Sequence, residues 1–396
     1  MRLLVWNIER FTLKRISDAS GRDEVEQANS QDRSAECLSF IVDNVQAADA
    51  DVLVVLEALA PKGPINQLAA AGNGVQGLIR LREELSAKLN RNWFLVPPLR
   101  ANPDVLDSNT YTETVGVFWR DDRVWFRGPL VWPQAPDGSP SPTGPPIQPG
   151  SGPAAAKYPA PWNDVMPRTL GDTNWAAQVA LVPGANPTPT IGDRPTNRQP
   201  YITDFFEPAT QRAIRLFSVH LPPNKTAATA LQSILELQSS MWTPRPNEVV
   251  VIAGDMNIDL IRPTTNDSVH LRYMTTNAFV LLGPYPISMG AARSMLQPVD
   301  EAGLDSYLKD HLYDYAFARY AAPPPARTFR AVVVDRVVGV RQVIQGEAPI
   351  QTFGTAMGLT PRQIEDSTYP VALFRRRRNY GRIRETSDHS ALFTIV

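Results

Sequence analysis

The stretch Val249-Val250-Val251-Ile252-Ala253-Gly254-Asp255-Met256-Asn257 constrains this chain more than any other. A β-branched apolar run of strand length that stops at glycine reads as a buried β-strand. The stop is followed at once by a carboxylate and a carboxamide. Asp255 and Asn257 are two residues apart, so an extended chain sends both side chains to the same side. Asp and Asn also cap turns, so this stretch alone has two readings. Other apolar runs decide between them, because they deliver polar groups in the same way. Leu3-Leu4-Val5-Trp6 leads to Asn7 and then Glu9, Val52-Leu53-Val54-Val55-Leu56 to Glu57, and Ala213–Val219 to His220. Asp388 and His389 stand just before the last run, Ala391–Val396. If that last strand is antiparallel to its neighbours, all these groups meet at one rim of a sheet.

Bulk properties exclude several classes. The formal net charge is −1, so no global basic field advertises nucleic-acid binding. Cys37 is the only cysteine, which excludes a disulfide framework and a cysteine-based zinc site and points to a reducing compartment. The first residues turn polar too soon for a signal peptide, and no apolar run is long enough to span a bilayer. The expectation is a cytoplasmic enzyme or binding protein with no membrane partner. At 396 residues with 43% hydrophobic content, the chain can build one large α/β core.

Residues 11 to 32 read as a polar surface loop. Leu38, Ile41, Val42 and Val45 recur at helical spacing, and a second helical segment lies near 76 to 90. Tyr111 and Glu113 share one face of a strand running to Arg120. Residues 133 to 197 are dense in Pro, Gly, Ser and Thr and read as a surface insertion, a possible site for a protein partner. A hairpin (198–206 and 213–219), a helix (227–241), a strand at 312–318 with Asp314 near its start, and a strand pair around 329–343 follow. Helix and strand alternate as in an α/β layer whose strands feed functional residues to one rim.

The polar set is chemically coherent. Glu57, Asp255 and Asp388 are hard oxygen ligands suited to Mg²⁺ or Mn²⁺, with Glu9 either a further ligand or a solvated acid. Two histidines, His220 and His389, have possible orienting carboxylates in Glu113 and Asp314. Hydrolysing a phosphodiester needs one group to take a proton from water and another to protonate the leaving oxygen. Asn7 and Asn257 can donate hydrogen bonds to phosphate or hold water. His270 and His311 read as structural hydrogen-bonding residues.

Trp6-Asn7, Leu56-Glu57, Tyr111-Thr112-Glu113, Arg198-Gln199-Pro200, Ser218-Val219-His220-Leu221, Gly254-Asp255-Met256-Asn257, Tyr313-Asp314-Tyr315 and Ser387-Asp388-His389 occur in this order over nearly the whole chain. Together they resemble the endonuclease/exonuclease/phosphatase superfamily, and its pancreatic-type deoxyribonuclease branch most. The resemblance implies a four-layer α/β sandwich, two mixed β-sheets packed face to face with helices outside. It also implies one domain over 1–396, with the insertion at about 133–197 and an extended loop region at about 344–386. It assigns Glu57 and Asp388 to a Mg²⁺ or Mn²⁺ ion, His389–Asp314 and His220–Glu113 to catalytic dyads, and Asp255 and Asn257 to orienting water and phosphate. Asn7, Tyr111 and Arg198 match phosphate-contact positions. The fit has departures. Glu9 stands where apurinic-site nucleases carry an acid and pancreatic-type enzymes do not, and the long interval from Asp314 to Asp388 makes Asp335 a competitor for Asp314.

For substrate, the local clue is the run Arg375–Arg384, which holds Arg377 and Arg378 among six arginines and one tyrosine just before Asp388. Such a run suits a polyanionic backbone, so a nucleic acid, DNA first, is the expected partner. An inositol-phosphate phosphatase is the alternative, and an inactive binding module on the same fold stands behind it. Oligomeric state leaves no trace in the sequence.

Overall fold

The structure, a computed structural model, describes residues 1–17, 24–61, 70, 72–96, 98, 111–130, 200–222, 242–263, 265–283, 294–302, 309–322, 331–334, 360, 362, 380 and 382–396. The Val249 run forms β8 (Glu248–Asp255), and every residue of it is buried. Its alternation explains the unbroken apolar sequence. Val249, Val251 and Ala253 join one core cluster, while Val250 and Ile252 join another on the opposite face. A strand covered on both sides has no solvent face to keep polar.

β8 sits near the middle of a six-stranded sheet ordered β5-β6-β7-β8-β10-β9. Its members are β5 (Trp125–Leu130), β6 (Tyr201–Glu207), β7 (Arg212–His220), β9 (Val280–Gly283) and β10 (Asp314–Tyr320). A second six-stranded sheet is ordered β11-β12-β1-β2-β4-β3. It comprises β1 (Arg2–Phe11), β2 (Val52–Pro61), β3 (Trp93–Leu95), β4 (Tyr111–Arg120), β11 (Ala331–Val334) and β12 (Ala391–Ile395). Both sheets are mixed: β1–β2 and β7–β8 are parallel, and the other pairs are antiparallel. The sheets pack on each other through the larger cluster, which holds Leu216 and Val251 of one sheet with Val54 and Val117 of the other. On the outside, Trp6 of β1 meets Phe40 of α2 (Glu24–Ala48) edge-on at 5.8 Å. The far face of the other sheet is covered by Met274 of a helix at Thr265–Thr276 and by Trp242. This is the expected four-layer sandwich. β12 is antiparallel to β1, as the convergence of the polar groups requires.

Several local expectations are corrected. Residues 11 to 32 are no plain loop: a short helix α1 spans Leu13–Ile16 and α2 already starts at Glu24. The segment from Glu24 holds Glu, Gln and Ala and neither Gly nor Pro, so helix propensity prevails where apolar periodicity is weak. α3 occupies Asn73–Leu89, close to the expected 76–90, and the helix at Thr265–Thr276 (α4) and a short one at Arg382–Thr386 (α5) were not foreseen. β1 and β2 also run on past Asn7 and Glu57 rather than stopping there. The insertion at 133–197, the helix at 227–241, Asp335 and most of 344–386 lie outside the described residues. No helix among the described residues is long and apolar enough to cross a membrane.

One buried charge cluster gives a pH signature. Asp204 of β6 faces Arg215 of β7 across the ladder and lies 3.8 Å from the Arg127 Nε. Neither of its buried carboxylate oxygens has a hydrogen-bond partner among the described residues. Burial pushes its pKa up from 3.8 to about 6, with Arg127 and Arg215 holding it back. The folded state therefore binds this proton more tightly than the unfolded chain. Stability from this group is present at low pH and lost as pH rises through about 6. The wild type should lose on the order of 3 kcal/mol between about pH 4 and 7 that Asp204→Asn does not lose. Urea unfolding of both proteins across that range checks this, and parallel curves would contradict it.

Candidate active site

The site forms where the rims of the two sheets meet. Asp255 ends β8 and pairs in register with His220 of β7 on one side and Asp314 of β10 on the other. Gly254 makes this possible: its φ is +151°, and a Cβ there would lie 1.9 Å from the Val219 carbonyl oxygen. From the facing sheet, Asn7 Nδ2 donates to Asp255 Oδ2 at 2.9 Å. That bond joins the two layers at the rim.

Two histidine–carboxylate pairs converge on the same oxygen. His220 Nδ1 lies 2.8 Å from Glu113 Oε2 and its Nε2 3.6 Å from Asp255 Oδ2. His389 Nδ1 lies 2.7 Å from Asp314 Oδ2 and its Nε2 3.7 Å from the same Asp255 Oδ2. Burial works against the His389 imidazolium, but the carboxylates of Asp314, Asp255 and Asp388 outweigh it and raise its pKa to about 10. Asn257 is held in the left-handed region, φ 48°, with its backbone N–H on Asp255 Oδ1 at 2.9 Å. Its side-chain amide donates to the Leu221 carbonyl at 2.8 Å, so that amide braces the loop.

Glu57 reaches the rim through a bulge. The β1–β2 and β2–β4 registers both shift around it, and it has φ 59°. Bulges at sheet ends re-aim side chains, and strained backbone gathers at working sites. One ligand atom each of Glu57, Glu113 and His220 lies within 4.8 Å of the others. Asn7, in register with Leu56 next to Glu57, has a buried Oδ1 with no hydrogen-bond partner among the described residues. Carboxylate and amide oxygens are the donors a hard divalent cation takes, so these residues fit Mg²⁺ or Mn²⁺.

The remaining expected residues distribute unevenly. Asp388 Oδ1 lies 3.9 Å from His389 Nε2, while its Oδ2 is 4.0 Å from Arg384. Glu9 is partly solvated, its side chain 36% exposed, and is ion-paired: Arg384 donates to its Oε2 at 3.2 Å, and Arg15 stands 4.0 Å away. Arg384 and Arg382 of the basic run are thus partly engaged by the body, the first on Glu9 and the second over the Phe40 ring at 5.2 Å. Arg198, Arg377 and Arg378 lie outside the described residues, as does the side chain of Tyr111.

Sequence reasoning gave no role to two serines that assemble the site. Ser294 Oγ accepts the backbone N–H groups of Tyr313 and Asp314 at 3.0 and 3.2 Å, and its carbonyl accepts Ser390 N–H at 2.8 Å. Ser387 donates to the Asn7 carbonyl and accepts His389 N–H at 2.9 Å. Ser387 stands inside a quoted motif and was findable. Ser294 has no apolar periodicity around it in the sequence to mark it.

A two-sheet sandwich with paired imidazoles and clustered carboxylates at the shared rim can give and take protons and hold a cation, the chemistry that phosphoester hydrolysis uses. The endonuclease/exonuclease/phosphatase family model matches residues 4–389, and the chain belongs to that family. Members of this family are phosphoester hydrolases and typically depend on divalent metal. Among solved structures, the chain is similar to a family member from Bacteroides thetaiotaomicron at 10% identity and TM-score 0.47, covering 99% of this chain and 96% of that one. A mannosyl-6-phosphatase, Bt3783, from the same species aligns at 10% identity and TM-score 0.45, over 100% and 99% of the two chains. Humanized D. rerio TDP2 aligns at 11% and 0.42, over 99% and 97%. No curated protein matches the sequence.

Proposed function

We propose that this protein is a divalent-metal-dependent phosphodiesterase acting on nucleic acid, DNA first. One observation carries the reading: two imidazoles, each backed by its own carboxylate, present their Nε2 atoms within 3.7 Å of a single Asp255 oxygen. Both monoesters and diesters with an alkoxide leaving group draw on such a pair, and the arginine run before Asp388 is what favours a nucleic acid over a small phosphate ester. A diester with an alkoxide leaving group needs both a base for water and an acid for the departing oxygen.

In the proposed reaction a water oxygen bonds to phosphorus as the ester P–O bond opposite it breaks. One imidazole takes the water proton and the other gives a proton to the leaving oxygen. Asp314 and Glu113 fix the Nδ1 sides of the rings, so the Nε2 atoms are left to face the phosphoryl group. Asp255, anchored by Asn7 and by the Asn257 backbone, orients the water. Glu57 and Asn7 Oδ1, with Asp388 as a further carboxylate, would hold the cation, which when bound neutralises charge on the phosphoryl oxygens.

Cleavage of supercoiled plasmid tests this reading. Nicking with Mg²⁺ or Mn²⁺ that EDTA and Asp255→Ala both abolish is the expected result. Intact plasmid with every metal, together with phosphate release from inositol or sugar phosphates, would favour the phosphatase reading instead.

A further inference from the structure

A third histidine–carboxylate pair stands outside the site described above. His311 Nδ1 lies 2.8 Å from Asp259 Oδ2, and the imidazole stacks on Tyr313, centroids 5.2 Å apart and planes 8° from parallel. Asp259 is itself fixed, its Oδ1 accepting the backbone N–H groups of Ile261 at 2.9 Å and Leu312 at 3.2 Å. A ring held at one nitrogen and one face has little rotamer freedom left to lose on binding. Yet 41% of the His311 side chain is exposed, so the fold does not need this ring as core.

Its place is defined by the ladder beyond β8 and β10. Met256 N–H donates to the Tyr313 carbonyl at 2.9 Å and Leu260 N–H to that of Leu312 at 3.2 Å, so Asp259 and His311 continue the pairing that sets Asp255 against Asp314. Ser294 ties this loop to the catalytic one: its N–H donates to the His311 carbonyl at 3.0 Å, and its carbonyl accepts Ser390 N–H at 2.8 Å. A substrate longer than one phosphodiester, seated at the rim, extends over one of these flanking loops.

We propose that His311, oriented by Asp259 and stacked on Tyr313, is a binding residue for a second phosphate of the substrate, next to the one cleaved. The inference rests on the phosphodiesterase reading above. With Nδ1 committed to Asp259, Nε2 is the ring nitrogen left to meet a phosphate oxygen, to which it can donate as an N–H. The alternative is structural: Asp259 makes an Asx-turn with Ile261, and His311 merely covers it.

The test compares a short DNA oligonucleotide with bis(4-nitrophenyl) phosphate, which has a single phosphodiester. Loss of one charge-assisted hydrogen bond should lower the oligonucleotide-to-diester ratio of kcat/KM about tenfold in His311→Ala, with the loss in KM for the oligonucleotide. Asp259→Asn should move the ratio the same way, and His311→Gln, which keeps a donor, should recover part of it. An unchanged ratio overturns the proposal, whether both activities hold or both fall together with the melting temperature, as the structural role predicts. If wild-type protein leaves the oligonucleotide intact, the phosphodiesterase reading has failed and this inference with it. That failure lies in the wild type and is thereby distinguished.

Discussion

Replacing His389 with alanine should lower kcat by about 10²–10⁴-fold, the usual contribution of a positioned proton-transfer group. The surrounding geometry makes this a clean experiment. The backbone at this position is held independently of the ring, with Trp6 Nε1 donating to its carbonyl at 2.8 Å and Ser387 Oγ accepting its N–H at 2.9 Å. Truncation therefore removes the imidazole without releasing the loop. It also strands Asp314, 1% exposed, whose Oδ2 had the ring at 2.7 Å. Stability should accordingly fall by about 1–3 kcal/mol, the cost of a buried polar group left unsatisfied. Adding Asp314→Ala should restore much of that stability and leave kcat close to the single variant, because residues acting as one unit lose their contribution once. Steady-state kinetics and urea unfolding of the two single variants and the double variant check both parts. Multiplicative losses in kcat would show that the pair does not act as a unit.

Glu248→Ala should cost about 3–5 kcal/mol, which can exceed half the stability of a modest domain. Glu248 and Arg215 are both buried, with Arg215 Nη2 2.8 Å from Glu248 Oε1. The other carboxylate oxygen accepts Arg245 N–H at 2.7 Å, closing the turn that opens β8. Removing the carboxylate leaves a buried guanidinium without its 2.8 Å partner, facing Asp204 across the ladder. Desolvation already lowers the Arg215 pKa, an effect that Glu248 offsets. Substituting both members, Arg215→Met with Glu248→Leu, should cost far less, since no charge is then stranded. Urea denaturation midpoints distinguish these outcomes, and a double variant as unstable as Glu248→Ala would show that the loss comes from packing. The pair sits on β7 and β8, toward the ends opposite His220 and Asp255, so the damage is expected to reach activity through the fold.

Much of this was legible because the functional groups lie at the ends of strands, where sequence pattern is strongest. β8 announces itself by a run that is apolar on both faces, and the residue after its glycine carries the oxygen on which both imidazoles converge. The pairing of His389 with Asp314 was also readable, through the motif order, although the distance along the chain argued for a competitor. What was not legible depends on bulges and on contacts with no local signature. Glu57 turns to the rim because two ladders lose register there, which no spacing rule reveals. Glu9 is drawn to Arg384 by a helix of five residues near the other end of the chain, so its neighbourhood was invisible from its own segment. α2 begins early because propensity, rather than periodicity, decides its first turns.

The central claim is that His220 and His389 do opposite proton work on one phosphodiester. The most direct test compares His220→Ala and His389→Ala on two substrates: a dinucleotide, whose leaving alkoxide needs a proton, and a nucleotide 4-nitrophenyl ester, whose leaving group does not. The account predicts that one variant, the one lacking the acid, regains most of its loss on the nitrophenyl ester, while the other stays impaired on both. Equal losses of both variants on both substrates would contradict it.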